Sequence, residues 1–252
     1  MTAVRGPTLP LRTERGDVFV YDSADEVARE AADMFVAIVS GVLADRAVAR
    51  VALAGGSTPK SMYRLLASPA FRERVDWPRV EIFFGDERCV PPDHADSNYR
   101  MAREALLDHV PLGADRVHRI AGERPPAEAA AQYQQKLQRL GDPPRLDLVL
   151  LGMGPDGHTA SLFPGTAVLH ETRSLAAAVF VDKLDSWRVT LTAPVLSAAA
   201  HVIITTVGSE KSEALATALA GPPGAVPIQL VRAIDQRWLV DRLAAQKWRD
   251  KI

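Results

Sequence analysis

Short apolar runs alternate with longer amphipathic stretches along most of this chain. The runs have the length and the branched side chains of strands buried on both faces, and they occupy residues 17–21, 49–54, 80–84, 146–151 and 201–208. Stretches with helical spacing lie between them, at residues 24–45, 60–66, 98–109 and 126–140 and after residue 209. This alternation predicts an α/β fold, in which a doubly wound, Rossmann-like, mostly parallel sheet carries helices on both faces.

The N-terminus and the less regular parts of the chain show a weaker pattern of secondary structure. Residues 1–16 mix proline, arginine, glycine and threonine without periodicity, which predicts a flexible N-terminal arm followed by a single α/β catalytic domain at residues 17–252. Short strands are predicted at residues 116–120, 188–192, 226–231 and 237–240, and short helices after Pro194 and at the basic C-terminus.

Glycine and polar residues follow several of the predicted strands. Ligands of parallel α/β sheets bind at the carboxyl ends of the strands, which here precede Gly55, Gly85, Gly152 and Gly208. We therefore expect one cleft to collect the polar side chains that follow these glycines, namely Ser57, Thr58, Arg88, His158 and Lys211.

The segment after residues 146–151 is a candidate catalytic loop. Its glycines allow a tight turn with positive φ angles before a histidine; they are Gly152, Gly154 and Gly157. His158 is a candidate general base at neutral pH. Asp156, two residues earlier, could orient the imidazole or favour its charged form.

Two other interpretations of this segment remain open. Residues 152–157 spell G-x-G-x-x-G, the dinucleotide-binding fingerprint, but that fingerprint requires a long helix and Pro164 ends the following helix after a turn or two. The segment could also be a glycine turn that carries a solvated histidine. The similar form of the other strand ends argues against this simpler interpretation.

A second group of candidate residues follows the second predicted strand. Gly55, Gly56, Ser57 and Thr58 precede a helix whose first N–H groups would be open, and such an arrangement binds phosphate. No G-K-[ST] triplet closes the turn as in a Walker loop, and an ordinary capped turn is the alternative. Lys211 stands at another helix start, where a lysine is favourable only beside an anion. It is either a phosphate ligand or a solvent-facing lysine.

Charged residues also follow the third predicted strand. Arg88 could hold a phosphate or stabilise a developing oxyanion with its permanent charge, and Asp86 is a further candidate substrate contact. A salt-bridged strand end is the alternative, above all for Glu87. The stretch at residues 93–96 contains Asp and His but is not supported by a second ligand cluster, so we expect a solvated loop there and not a metal site.

The composition of the chain restricts which molecules it is expected to bind and where in the cell it is expected to be. The 252 residues are 47% apolar, carry a formal net charge of -1 and contain one cysteine. The charge disfavours nucleic acid or an anionic membrane as the main partner. Cys89 cannot form an internal disulfide and fits a reducing compartment. No apolar run reaches the length of a spanning helix and the first residues do not resemble a signal peptide, so we expect a cytoplasmic protein, as a monomer or a weak homo-oligomer.

Four segments together resemble the family of glucosamine-6-phosphate isomerases and 6-phosphogluconolactonases. They are AGGSTP at residues 54–59, GDERCVP at 85–91, SNY at 97–99 and GMGPDGHTASLFPG at 152–165. The first segment is shared by both activities, which use the same general fold, whereas the last is similar to the 6-phosphogluconolactonases.

The resemblance implies hydrolysis of 6-phospho-D-glucono-1,5-lactone to 6-phosphogluconate, the second step of the oxidative pentose phosphate pathway, with no metal or organic cofactor. It implies that His158 is the catalytic base and that Arg88 is its cationic helper. The implied phosphate and substrate contacts are residues 55–58, Arg188 and Lys211. The chemistry is consistent, because a lactone is an activated ester and needs a positioned water, a base and an oxyanion partner.

Two other functions remain open. An aldose–ketose isomerase or deaminase acting on an amino sugar phosphate needs a carboxylate base, and Asp86 sits at a suitable strand end. A non-catalytic sugar-phosphate sensor would bind the same ligands without turnover. An acyl-enzyme is disfavoured, because the chain has no G-x-S-x-G elbow and Cys89 has no evident activating histidine.

Overall fold

The computed structural model describes residues 10–141 and 144–250 and begins with two paired strands. Strand β1 (Leu11–Thr13) pairs antiparallel with β2 (Gly16–Tyr21) across a turn in which Gly16 adopts a φ of 106°. A flexible arm that extends to residue 16 is therefore wrong for Leu11–Thr13. Backbone pairing at a sheet edge needs no apolar periodicity, so the sequence pattern did not show it. Residues 1–9 lie outside the described residues.

The remaining strands and helices follow in chain order. The first half contains α1 (Ala24–Asp45), β3 (Ala49–Leu53), α2 (Ser57–Ala67), α3 (Pro69–Arg72), β4 (Val80–Phe84), β5 (Asp86–Arg88), α4 (Asn98–Ala105) and α5 (Pro126–Gln138). The second half contains β6 (Leu148–Gly152), β7 (Ala176–Val181), β8 (Ser186–Leu191), α6 (Ala193–Ser197), β9 (His201–Thr206), α7 (Ser212–Ala220), β10 (Asp235–Asp241) and α8 (Arg242–Arg249).

The central sheet confirms the predicted fold class. Its order is β1-β2-β10-β9-β6-β3-β4, and every pair except β1–β2 is parallel. From β3 the chain proceeds outward to β4 on one side and through β6, β9 and β10 on the other, so the sheet is doubly wound. Val202, Ile203 and Ile204 are each at most 1% exposed. Because consecutive side chains of a strand point to opposite faces, both faces of the sheet are covered.

A smaller antiparallel sheet stands beside the central one. It has the order β5-β8-β7, and Arg88 of β5 lies opposite Arg188 of β8. The apolar pattern of residues 188–192 predicts β8 but not the sheet to which this strand belongs. In the described part of the chain, no helix combines the length and the apolar character needed to cross a membrane.

Two of the short strands predicted from sequence are wrong. Residues 116–120 contribute a single bridge between Val117 and Ile82, next to a 3-10 turn at Ala114–Arg116. Residues 226–231 contain the 3-10 turn Pro227–Leu230, in which Ile228 is buried. Proline has no N–H to donate to a strand ladder, so an apolar run that contains it can fill the core as a turn.

Two buried tyrosines hold the strand ends that lead to the glycines of the predicted cleft. The hydroxyl of Tyr63 on α2 accepts from the N–H of Ala54 at 2.9 Å and donates to its carbonyl at 2.8 Å. Tyr133 on α5 makes the same pair of bonds to Phe84, at 2.7 and 2.9 Å. Each tyrosine thus satisfies both backbone groups of the residue that precedes a glycine, Gly55 or Gly85.

We expect Tyr133→Phe to lower the free energy of unfolding by about 1–3 kcal/mol, because it leaves the buried N–H and C=O of Phe84 without their hydroxyl partner. Urea unfolding monitored by circular dichroism measures the change. Tyr21→Phe, which changes a half-buried tyrosine at the end of β2, is the control. Equal stability of Tyr133→Phe and the wild type would show that the hydroxyl does not hold this strand end.

Candidate active site

A cleft of about 260 Å³ lies at the carboxyl ends of β3, β4, β6 and β9. It opens where the winding direction of the sheet reverses, between β3 and β6, which is the position expected for a ligand site in this architecture. The structure brings nearly all predicted site residues to its wall: Gly55, Gly56, Ser57, Thr58, Asp86, Arg88, His158, Arg188 and Lys211. Asp156 stands behind this wall, in contact with His158.

The imidazole of His158 is held by the carboxylate two residues before it. Oδ1 of Asp156 lies 2.5 Å from Nδ1 of the ring and also accepts from the backbone N–H of His158 at 3.2 Å. A carboxylate at Nδ1 favours the tautomer that carries its proton there. The neutral ring then presents Nε2 as a proton acceptor, and the described residues provide no hydrogen-bond partner for Nε2.

The ring can take this position because residue 154 has no side chain. A Cβ added at Gly154 would lie 2.0 Å from Cε1 and 2.1 Å from Nδ1 of His158. The turn is closed by Gly157, which has a φ of 73°, and by a bond from the Gly154 N–H to the His158 carbonyl at 2.9 Å. Gly154 therefore leaves room for the histidine ring, and the next helical segment is the 3-10 turn Ala167–His170 and not the long helix that the dinucleotide fingerprint requires.

The protonation states of this pair suit proton abstraction. Burial lowers the pKa of His158, and the neighbouring carboxylate of Asp156 only partly offsets that effect. Burial opposes the ionisation of Asp156, but hydrogen bonds from Lys183 and His158 outweigh it and lower the pKa of Asp156 to about 2. At neutral pH the carboxylate is charged and the imidazole is neutral.

An aromatic ring supports the imidazole from the side. The ring of Phe163 is buried and stacks on that of His158, with centroids 4.0 Å apart and planes inclined by 20°. The Nζ of Lys183 lies 4.8 Å from the Phe163 centroid and the guanidinium of Arg188 lies 5.4 Å from it. Both cations are within the range of a favourable interaction with an aromatic face.

The start of α2 provides a seat for an anion on the β3 side of the cleft. Gly56 precedes the helix with a φ of 102°, and no side chain of the described residues caps the helix start. The first N–H groups of α2 are therefore available to a ligand. Lys211 reaches the cleft from the β9 side, and burial lowers the pKa of its ammonium group.

Two arginines of the small sheet add permanent charge to the same cleft. The side chain of Arg188 is 12% exposed, and burial lowers its pKa despite the nearby carboxylate of Asp86. Arg88 donates from Nη1 to the carbonyl of Asp96 at 2.5 Å. The buried Nε atoms of Arg88 and Arg188 have no hydrogen-bond partner among the described residues. Both arginines line the cleft, where their permanent charge can stabilise an oxyanion.

Asp86 is buried in the wall of the cleft, and both of its carboxylate oxygens are engaged by the protein. Oδ1 accepts from Nδ2 of Asn98 at 3.0 Å, and Oδ2 accepts from Oγ of Ser161 at 2.6 Å. Nη1 of Arg188 lies 3.8 Å from Oδ2. Asn98 also requires a glycine at residue 55, because a Cβ there would lie 2.1 Å from its Oδ1.

Glu87 has a structural role, and its partners among the described residues are hydrogen-bond donors and not a salt-bridge cation. Its buried carboxylate accepts from the backbone N–H groups of Arg88, Asn98 and Tyr99 and from Oγ of Ser97. Burial raises the pKa of Glu87, while these hydrogen bonds act in the opposite direction. The bonds fix the loop that delivers Asn98 to the cleft.

Sequence reasoning missed four residues that support the site: Asn98, Ser161, Phe163 and Lys183. Three of them fall inside segments already recognised as similar to a known family, so a role for them was accessible in principle. Lys183 lies in no such segment, and only the pairing of β7 with β8 brings it to Asp156. Within the described residues, no group of three or more His, Cys, Asp or Glu side chains is arranged to hold a metal ion.

Comparison with known proteins identifies the family to which most of the chain is similar. The family described as glucosamine-6-phosphate isomerases/6-phosphogluconolactonase matches residues 22–240. This chain belongs to that family. A 6-phosphogluconolactonase of Nostoc sp. is 40% identical over 203 residues, which cover 77% of this chain and 82% of that protein.

Solved structures of the family share this architecture. A 6-phosphogluconolactonase from Trypanosoma cruzi superposes with a TM-score of 0.81 and 30% identity, covering 94% of this chain and 98% of that one. A monomeric glucosamine-6-phosphate deaminase gives a TM-score of 0.80 at 22% identity, covering 91% and 99% of the two chains. The second likeness shows the fold alone.

We expect Gly154→Ala to displace the His158 ring, because the new methyl group would lie 2.0 Å from Cε1 and 2.1 Å from Nδ1 of the imidazole. A crystal structure of the variant, together with the ¹⁵N chemical shifts of the imidazole, measures the displacement. Gly152→Ala, at the end of β6 and two residues before Gly154, is a matched control, since a Cβ there meets nothing within 4 Å. An unmoved ring in Gly154→Ala would show that the glycine does not set its position.

Proposed function

We propose that this chain hydrolyses 6-phospho-D-glucono-1,5-lactone to 6-phosphogluconate, with His158 as the general base that activates water. The observation that carries the proposal is that a neutral imidazole and a seat for an anion line the same cleft of about 260 Å³. The named activity of the Nostoc and Trypanosoma cruzi relatives supports the same reaction.

The polar groups of the cleft divide into two sets that suit the two ends of the substrate. The phosphate occupies the start of α2, where Ser57, Thr58 and open N–H groups line the same cleft as Lys211. The lactone carbonyl then lies near His158, with Arg88 and Arg188 as the neighbouring cations.

Hydrolysis needs no cofactor in this arrangement. Nε2 of His158 accepts a proton from water as the water oxygen bonds to the lactone carbonyl carbon, and the resulting oxyanion is stabilised by the guanidinium groups. The bond between that carbon and the ring oxygen then breaks, and the imidazolium returns its proton to the departing oxygen. The net change is the addition of one water, and the carboxylic acid formed then ionises.

The contacts of Asp86 argue against the isomerase alternative. A base that moves a proton between adjacent carbons needs a carboxylate oxygen free to approach the substrate. Here Asn98 donates to Oδ1 of Asp86 and Ser161 donates to Oδ2. Nη1 of Arg188 also lies 3.8 Å from Oδ2. Asp86 is better suited to hold Arg188 and the two donors in place than to abstract a proton.

We expect His158→Gln to lower kcat by about 10²–10⁴-fold, the usual contribution of a positioned general base. The affinity for 6-phosphogluconate, measured by calorimetry, should change little because the phosphate seat is intact. Turnover is followed in a rapid coupled assay with a no-enzyme blank, since the lactone opens spontaneously. His170→Gln, in an exposed turn, is the control variant.

Two outcomes would contradict this proposal in different ways. A kcat near the wild-type value in His158→Gln would remove the assigned base. Release of ammonia from glucosamine-6-phosphate by the wild type, without lactone hydrolysis, would assign the chain to the other activity of the family, and binding of 6-phosphogluconate without either reaction would indicate a sensor.

We expect kcat/KM to fall on the acid side with a midpoint below about 6.5, the ordinary imidazole value. The pKa of His158 is lowered by burial, so the base form persists to lower pH and activity is lost only as the pH falls through this lowered value. The blank is repeated at each pH. An NMR titration of His158 should give the same midpoint, which separates it from the substrate phosphate that titrates near about 6. An acid limb above pH 7 would contradict the assignment.

A further inference from the structure

The hairpin between β7 and β8 reaches the residues that hold the imidazole. Its turn, Asp182–Leu184, is closed by Asp185, which has a φ of 43° and donates from its N–H to the carbonyl of Asp182 at 3.1 Å. Phe180 and Trp187 lie opposite each other next to this turn, with ring centroids 5.4 Å apart. The paired rings and the closed turn fix the hairpin tip, where Lys183 projects.

We propose that Lys183 is a positioning residue for His158, which it holds in place through Asp156 and Phe163. The inference rests on the proposed function of His158 as a base. Nζ of Lys183 donates to Oδ2 of Asp156, while Oδ1 of the same carboxylate accepts a hydrogen bond from Nδ1 of the imidazole. Each oxygen of the carboxylate therefore has a defined partner.

Removal of the lysine would free one end of this arrangement. With Oδ2 exposed to water, the carboxylate of Asp156 could rotate and lose its fixed orientation toward Nδ1. The neutral ring would then populate the tautomer with its proton on Nε2, which cannot accept a proton from water. The contact of Lys183 with the Phe163 ring, on which the imidazole stacks, would be lost at the same time.

The position of Lys183 indicates an indirect role. It does not line the cleft, unlike Arg88, Arg188 and Lys211. Its side chain is 51% exposed, and exposed ion pairs contribute little to folding stability. The contacts of Lys183 should thus matter for the orientation of the ring and not for the fold.

The charges around the imidazole give a second readout with a defined sign. Asp156 on its own loop and Asp86 on β5 favour the imidazolium form, whereas Lys183 on the hairpin disfavours it. Arg188 on β8 lies over the same Phe163 ring. Loss of the ammonium group therefore stabilises the imidazolium and raises the pKa of His158, whereas Asp156→Asn removes a negative charge and lowers it.

The test compares Lys183→Met with Lys183→Arg and with the control Lys247→Met, which removes a lysine paired with Glu213 on α7, away from the cleft. We expect Lys183→Met to lower kcat about tenfold, the scale typical of residues that orient a functional side chain. KM should change by less than about twofold and the acid limb should move to higher pH, while the thermal midpoint stays near that of the wild type. Lys183→Arg should recover most of kcat.

A double variant tests whether Lys183 influences His158 through Asp156. If Lys183 acts through Asp156, Lys183→Met should lower kcat by less than about twofold in the Asp156→Asn background, because the two losses are not additive along one chain of contacts. A rise in KM without loss of kcat would instead indicate a direct substrate contact and would overturn the proposal. An unchanged kcat and pH profile in Lys183→Met would also overturn it.

NMR of the imidazole nitrogens separates this inference from the proposed function. His158→Gln identifies the resonances of His158 among the 6 histidines. The wild type should show the proton on Nδ1, and Lys183→Met should show a mixture of tautomers and a raised pKa. These shifts are measured without substrate, so a wild type that fails to open the lactone refutes the function alone. Identical tautomers in the two proteins refute the role of Lys183.

Discussion

The hydrogen bond between Nδ1 of His158 and Asp156 is the interaction on which the site depends. A free imidazole can carry its proton on either nitrogen, and only one of these forms presents a base at Nε2. The carboxylate selects that form, and burial keeps the ring neutral against the charge of its partner. The missing side chain of Gly154 and the stacked Phe163 ring restrict where the imidazole can lie, so the sequence between β6 and Pro164 is organised around one bond.

The two sheets contribute different parts of the cleft. Parallel strands bring their carboxyl ends and the open end of α2 to one edge, which provides backbone donors but little permanent charge. The small antiparallel sheet supplies the cations Arg88 and Arg188 from its own strands, and its hairpin brings Lys183 to Asp156 behind the cleft wall. The tyrosine hydroxyls bonded to Ala54 and Phe84 hold the ends of β3 and β4 in place. The arginines of the small sheet therefore lie opposite a fixed part of the cleft.

Sequence predicted the parts of this structure that local chemistry determines. Residues 80–84 form a buried strand as their apolar run indicated, and the glycine turn before His158 was visible in its spacing. The small sheet could not be predicted, because β5 is three charged residues whose pairing with β8 depends on contacts distant in the chain. The role of Lys183 could not be predicted for the same reason, because only the pairing of β7 with β8 brings this residue to Asp156. Residues 226–231 show the opposite error, in which an apolar run fills the core without joining a sheet.

The two activities of the family differ in which group is free to take a proton. Both begin from a sugar phosphate, and a helix start beside a lysine serves either substrate equally well. In this chain Asp86 is bonded through both oxygens to Asn98 and Ser161, while the described residues place no partner on Nε2 of His158. Each oxygen of Asp86 already accepts a hydrogen bond from a neighbouring side chain, whereas the neutral buried imidazole keeps one acceptor available. The distribution of hydrogen bonds within one cleft therefore favours attack by water over proton transfer between carbons.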